Sequence, residues 1–144
     1  MHVAAILKEK GRAVETVTDA VTLAEVARRL ANHRIGAVVV RGTRSEIVGI
    51  VSERDIVHAI ADRGATVLEW PVSRIMTRDV VTAREADTVD EIMIRMTESR
   101  FRHLPVVEDG KLVGIVSIGD VVKRRVAEVE LEASAMRDYI NVAP

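Results

Sequence analysis

Gly49-Ile50-Val51-Ser52-Glu53-Arg54-Asp55 and Gly114-Ile115-Val116-Ser117-Ile118-Gly119-Asp120 share one pattern: a glycine, two β-branched residues, a serine, two variable residues and an aspartate. In each, the apolar residues read as the end of a buried strand and the serine as the start of a helix. Ser-x-x-Asp before an apolar run is a capping box, in which two side chains satisfy backbone donors that a helix start leaves unpaired. The same groups have a second use. A glycine under the strand's exit, a hydroxyl at a helix N-terminus and a carboxylate one turn on can together hold a phosphorylated sugar. The motif alone leaves both uses open.

Working outward, the two stretches belong to a repeat that covers most of the chain. Thr22-Leu23-Ala24-Glu25 answers Thr88-Val89-Asp90-Glu91 at an offset of 66 positions, and Thr16 answers Thr82 at the same offset. The signature serines lie 65 apart, because the turn Arg41-Gly42-Thr43-Arg44-Ser45-Glu46 is slightly longer than Glu108-Asp109-Gly110-Lys111. Each half begins with a β-branched run, Val14 to Thr18 or Val80 to Thr82. A Thr-x-x-Glu capping box then opens a helix with apolar residues at one-face spacing, Leu23, Val26, Ala27 and Leu30 or Val89, Ile92, Met93 and Met96. A strand (Ala37 to Val40; Leu104 to Val107), a glycine-containing turn and the strand into the signature serine follow. The second helix of the first half carries Ile56, Val57, Ile60 and Ala61, with Gly64 as its stop.

Each half therefore reads β-α-β-β-α. Three short strands and two helices cannot hide both of their apolar surfaces within about 60 residues, whereas two copies packed together can. The expected fold class is α/β (α+β), with two pseudo-symmetric repeats packed sheet to sheet: residues 1–70, residues 71–127, and a helical extension over 128–144. Ala65 to Arg74, containing Trp70-Pro71, reads as the connection, with the tryptophan a hydrophobic plug.

Composition narrows the function classes. The 144 residues carry no cysteine, which rules out disulfides and thiolate metal sites and fits a reducing compartment; a cytoplasmic location is expected. The formal net charge is −1, with basic and acidic residues interspersed, and one Trp, one Tyr and one Phe offer few platforms for bases, so no nucleic-acid partner is expected. No apolar run approaches the roughly 20 residues that cross a bilayer, and Met1 to Lys8 lacks the grammar of a signal peptide, so no membrane partner is expected. There is no Gly-x-Ser-x-Gly elbow, P-loop or His-Glu-x-x-His, and His2, His33, His58 and His103 show no metal-ligand spacing. The reading is of a protein that is not an enzyme and holds no metal.

The double β-α-β-β-α order, the paired Gly-x-x-Ser-x-x-Asp, the Leu104-Pro105-Val106-Val107 strand and the Ile75-Met76-Thr77 entry resemble a tandem cystathionine β-synthase (CBS) domain pair, or Bateman module, over about residues 1 to 127. The resemblance implies a regulatory module that binds adenosine-containing ligands in clefts between the halves, AMP first, with ATP, ADP, NAD(H) or S-adenosylmethionine as variations. Carried onto this chain, it makes Asp55 and Asp120 the ribose ligands and Ser52 and Ser117 the phosphate donors, with Gly49 and Gly114 permitting close backbone approach. Thr16 and Thr82 match positions that often touch the nucleotide, and Arg102 and His103 match positions where basic residues meet phosphates. The two sites are expected to be unequal: Arg54 stands where the second signature has Gly119, and Arg102 and His103 stand where the first half has Gly36 and Ala37. The other reading is a structural dimerisation or adaptor module without a ligand.

Beyond the second signature, Val122, Val126, Val129, Ala133, Met136 and Ile140 recur at alternating steps of four and three, a heptad seam. Either the seam is buried against the module's own surface, or it helps two chains associate; CBS pairs are commonly dimeric, so a homodimer is expected. The regulated protein would be a separate chain of unknown identity.

Overall fold

The computed structural model describes residues 1–142. Its backbone divides into two compact units, one formed by residues 13–82 and the other by residues 1–12 together with 83–142. By backbone contacts the first helix thus groups with the second repeat and residues 71–82 with the first.

In the 13–82 unit the order is β1 (Thr16–Thr18), α1 (Leu23–His33), β2 (Ala37–Arg41), β3 (Ile47–Ser52) and α2 (Glu53–Arg63). β2 is central, with β1 parallel on one side and β3 antiparallel on the other. Its Ala37-Val38-Val39-Val40 run is buried throughout, as a central strand covered on both faces requires. Leu23, Val26 and Leu30 of α1 pack into the same core with Val51, Ile56, Val67, Val72 and Met76. The Thr22 hydroxyl caps α1 by accepting from Glu25 N–H at 3.3 Å, but the box expected there is only half closed. The Glu25 carboxylate turns instead to Arg28 and Arg29, where charge-assisted bonds replace a neutral one. The connection forms two 3₁₀ turns, Ala65–Glu69 and Val72–Arg74, around Trp70-Pro71. Trp70 packs against the core of this unit, and the Arg74 and Arg63 guanidinium groups lie over its ring at 3.7 and 5.4 Å.

The other unit contains α3 (Val3–Lys10), α4 (Val89–Ser99), β4 (His103–Glu108), β5 (Lys111–Ser117) and α5 (Ile118–Val142). Here the Thr88 and Glu91 box is reciprocal, at 3.1 and 3.3 Å, and Val89, Ile92 and Met96 are buried behind it. β4 and β5 form a hairpin closed by Asp109 and Gly110, both at positive φ, the backbone that a two-residue turn between twisted strands demands. The strand expected over Val80 to Thr82 does not form. Pairing is reduced to one parallel bridge at Ala83, whose N–H donates to Pro105 and whose carbonyl accepts from Val107. Upstream, Val80 N–H turns back to the Arg78 carbonyl at 3.0 Å and so enters no ladder; downstream, Arg84 N–H donates to Asp87 Oδ2 at 2.8 Å and draws residues 84–87 into a turn. α5 runs unbroken from Ile118 to Val142, so the second repeat and the extension beyond it share one helix.

α3 lies across β5. A Cβ added at Gly114 would stand 2.7 Å from Leu7 Cδ2, so the missing side chain is what lets this fully buried leucine seat. Gly49 plays the same part in the other unit, under Met76 Sδ at 2.6 Å and the Thr77 carbonyl at 3.0 Å. Gly114→Ala should therefore cost about 1–3 kcal/mol by overpacking and Leu7→Ala about 2–5 kcal/mol by leaving a cavity. The double variant should cost clearly less than the sum when measured by denaturant unfolding. Strict additivity would place Leu7 elsewhere.

Candidate functional site

Each signature sits where a strand passes into a helix with no intervening loop, so the first helical N–H groups emerge at the edge of a buried sheet. One of them is satisfied from the neighbouring strand's entry: Glu53 N–H donates to the Gly36 carbonyl at 2.9 Å, and Ile118 N–H to the Arg102 carbonyl at 2.8 Å. The serine and aspartate handle the next. Ser52 N–H donates to Asp55 Oδ2 at 2.8 Å while Asp55 N–H donates to Ser52 Oγ at 3.3 Å. Ser117 and Asp120 repeat this at 2.8 and 3.2 Å. The capping-box reading of the sequence is thus correct for both signatures.

Capping does not exhaust these groups. A carboxylate carries about four acceptor sites on two oxygens, and a serine that accepts at Oγ still has its own O–H to donate. The box uses Oδ2 of Asp55 once and leaves the hydroxyl proton of Ser52 uncommitted, while fixing both side chains in one orientation. What remains is an acidic acceptor and a neutral donor beside a helix N-terminus, whose free N–H groups and dipole favour an anion.

The two copies then diverge. In the 13–82 unit, Arg54 follows in the first turn of α2, exposed and without a partner among the described residues. In the other unit Gly119 takes that place, and a Cβ there would meet only Ser117 Oγ at 3.6 Å, so the ground beside the serine is open. His103, half-buried, stands directly across from Ser117 in the β4–β5 register, where Ala37 stands across from Ser52. Arg102 is exposed. Gly49 and Gly114 are brought near their signatures, but the close approach they allow is made by Met76 and Leu7 of the chain itself. Thr16 lies on β1, separated from β3 and Ser52 by the whole of β2, and Thr82 immediately precedes the single bridge at Ala83.

One residue at this site has no precedent in the sequence reading. Lys10, the last residue of α3, donates from Nζ to Asp120 Oδ2 at 2.6 Å and to the Ile115 carbonyl at 3.0 Å. Burial by itself would raise the Asp120 carboxyl; the Lys10 ammonium and the Ser117 N–H outweigh it and hold the group below its ordinary value. Among the described residues Asp55 has no such cation. No periodicity or motif marks Lys10, because its partner lies 110 residues away in the chain.

A groove of about 510 Å³ in the 13–82 unit is lined by His58, Ala59, Ala61, Asp62, Arg63 and Ile75, toward the far end of α2, and includes none of the residues expected to bind. Among the described residues no group of His, Asp and Glu is placed to hold a metal, and no helix is long and apolar enough to cross a membrane.

Compared with known proteins, the chain matches the CBS domain model twice, over residues 7–62 and 72–127. Its backbone is similar to that of a CBS-domain-containing protein from Agrobacterium tumefaciens, with a TM-score of 0.84 and 48% identity, covering 86% of this chain and 92% of that one. It is also similar to a CBS domain protein from Pyrobaculum aerophilum complexed with AMP (TM-score 0.79, 31% identity, 92% of this chain and 99% of that one). A third likeness is to a CBS domain pair in complex with 5′-methylthioadenosine and S-adenosyl-L-methionine (TM-score 0.78, 29% identity, 89% and 98%). The chain spans 66% of the length of the first curated relative it matches and 21% of the next two.

The Lys10 contact makes a test. Asp120 and Asp87 both have carboxyls held below their ordinary value. Their contribution to stability is therefore present above the unfolded pKa and lost as pH falls through the lower folded one, below about pH 4. Lys10→Met should move the Asp120 titration, followed by carbon NMR of its carboxyl, upward toward the ordinary aspartate value, and should leave Asp87 unchanged. An unmoved Asp120 would show that the lysine is not its partner in solution.

Proposed function

This chain belongs to the CBS domain family as a tandem pair of those domains, and on that premise we propose that it is a regulatory module that binds an adenosine-containing ligand and signals to an unknown partner. The observation that carries this is the spare capacity of the two Ser/Asp boxes, each with a fixed carboxylate and a fixed hydroxyl beside a helix N-terminus. The AMP and the methylthioadenosine and S-adenosylmethionine complexes of the similar proteins support that ligand class.

In this reading Asp55 and Asp120 each accept from the two hydroxyls of a ribose. Two charge-assisted bonds to a vicinal diol contribute about 1.5–3 kcal/mol each, and a deoxy analogue loses one. Ser52 or Ser117 donates toward a phosphoryl oxygen, helped by Arg54 in one repeat and by Arg102 and His103 in the other. Thr16 and Thr82 are assigned lesser contacts. AMP is the favoured ligand, with ATP and NAD(H) as larger variations on the same adenosine unit.

The sites differ through Lys10. An incoming diol finds Asp55 engaged only by its own cap, whereas at Asp120 it competes with an ammonium group already bonded to Oδ2. The Asp55 site should therefore bind more tightly, and Lys10 should set the weakness of the other.

The second reading, a ligand-free adaptor, is favoured by the closure of both boxes, since caps alone account for Ser52, Asp55, Ser117 and Asp120. Calorimetry separates the two. AMP should bind at two unequal sites, and Asp55→Ala should weaken the tighter one by about 30- to 150-fold. With adenosine, which has no phosphate to attract the lysine, Lys10→Ala should tighten the weaker site by about three- to fivefold and leave the other unchanged. Two identical sites, or an Asp55→Ala protein that binds as well as the parent, would overturn the assignment. A thermal scan that shows no stabilisation with AMP, ATP or NAD(H) would leave the caps as caps.

A further inference from the structure

α5 departs from every other helix in where its apolar residues point. Val121 is fully buried, but Val122, Val126, Val129, Met136 and Ile140 are 45%, 50%, 48%, 63% and 65% exposed, and Ala133 between them is exposed too. The heptad seam of the sequence is thus not covered by its own unit. The helix is nevertheless held at its base. Lys123 and Arg124 pair with Glu9 of α3 at 4.0 and 3.5 Å, and Arg125 lies 3.9 Å from Asp90 of α4. The Ser117 and Asp120 cap starts the helix, so the costly nucleation that makes short isolated helices marginal is met within the folded unit.

The charges that flank the seam say what covers it. Arg125 and Glu132 immediately precede seam positions Val126 and Ala133; Glu130 and Arg137 immediately follow Val129 and Met136. When two such helices run parallel and in register, a residue on the first flank faces the residue five further along in the other chain. Arg125 then meets the partner's Glu130, and Glu132 meets the partner's Arg137. Symmetry repeats both, so all four cross-chain pairs are of opposite sign. Turned antiparallel about the middle of the seam, the same helix would set Glu130 against the partner's Glu130, Glu132 against the partner's Glu132, and Lys123 against the partner's Arg137, all of like sign. Glu130, Glu132 and Arg137 have no ion-pair partner among the described residues, and the Arg125 guanidinium, shared between Asp90 and Glu128, has donors to spare.

We propose that residues 122–140 of α5 form a parallel, in-register, two-stranded coiled coil with a second copy of this chain. The chain has no cysteine of its own, so one introduced thiol reports the geometry without background. In the full-length protein, Met136→Cys should cross-link chain to chain under mild oxidation, and Ala135→Cys, one step off the seam, should not. In an antiparallel pair the two Met136 positions would lie roughly 15 Å apart. Glu132→Arg sets arginines against each other at two symmetry-related places and should weaken association roughly tenfold by sedimentation equilibrium; adding Arg137→Glu should restore it. Both substitutions are on exposed helix surface and should leave the circular dichroism spectrum unchanged. A protein that stays at 15.8 kDa at all concentrations would overturn the proposal. So would a dimer that ignores Glu132→Arg, or one that Met136→Cys does not cross-link.

Discussion

A strand that turns directly into a helix leaves unpaired backbone donors at the edge of a buried sheet, and the reciprocal Ser/Asp box is how this chain settles them, twice. The bonds are short, at 2.8 Å from each serine N–H to its aspartate, and they tie together the last strand, the last helix and, through Gly36 and Arg102, the entry to the neighbouring strand of each repeat. An aspartate used this way is oriented before any ligand arrives. In the proposed reading that lowers the entropy lost when a ligand binds, so that one set of atoms would serve both stability and recognition.

The repeat is a repeat of junctions and not of surroundings. Both glycines admit a large side chain against the strand, but the guest is Met76 in one unit and Leu7 in the other; Val72-Ser73-Arg74-Ile75-Met76 and Val3-Ala4-Ala5-Ile6-Leu7 are alike in sequence, yet the first passes through a 3₁₀ turn and the second lies in α3. From that difference follows the next. Because α3 lies over β5, its last residue reaches the second aspartate and not the first, so a helix that seats a leucine also delivers a lysine. Packing asymmetry thereby becomes electrostatic asymmetry. The depressed Asp120 carboxyl is its signature, the ammonium and the serine N–H prevailing over the cost of partial burial.

Much of this was legible in the residues. Strand and one-face helical patterns placed all five strands and four of the five α-helices, and the double Ser-x-x-Asp located both junctions. The failures have local causes. Val80 to Thr82 has the composition of a strand, yet Val80 N–H turns back to the Arg78 carbonyl, and past Ala83 Asp87 captures Arg84 N–H, so a single bridge is all that forms. Thr22-x-x-Glu25 has the letters of a capping box, yet two arginines one turn on outbid the neutral backbone donor. α3 was missed although its Val3-x-x-Ile6-Leu7 run repeats as Val72-x-x-Ile75-Met76, and the contact of Lys10 left no trace at all, since its partner lies 110 residues away. Sequence periodicity reports which face of an element is apolar; it does not report the address of the surface that will meet it.

α5 shows the same limit from the other side. Its spacing of four and three was visible, but spacing alone fits either burial against the helix's own unit or pairing with another chain, because both want one apolar stripe. Exposure decides against the first, since side chains about half or more exposed in the folded unit gain little from their own unit. What selects among outside partners is then charge, which the apolar pattern ignores. A stripe flanked on one side by arginine then glutamate and on the other by glutamate then arginine is self-complementary only for a copy running in the same direction. A helix whose flanks were all of one sign would have to look for a different protein; this one carries the complement of its own surface.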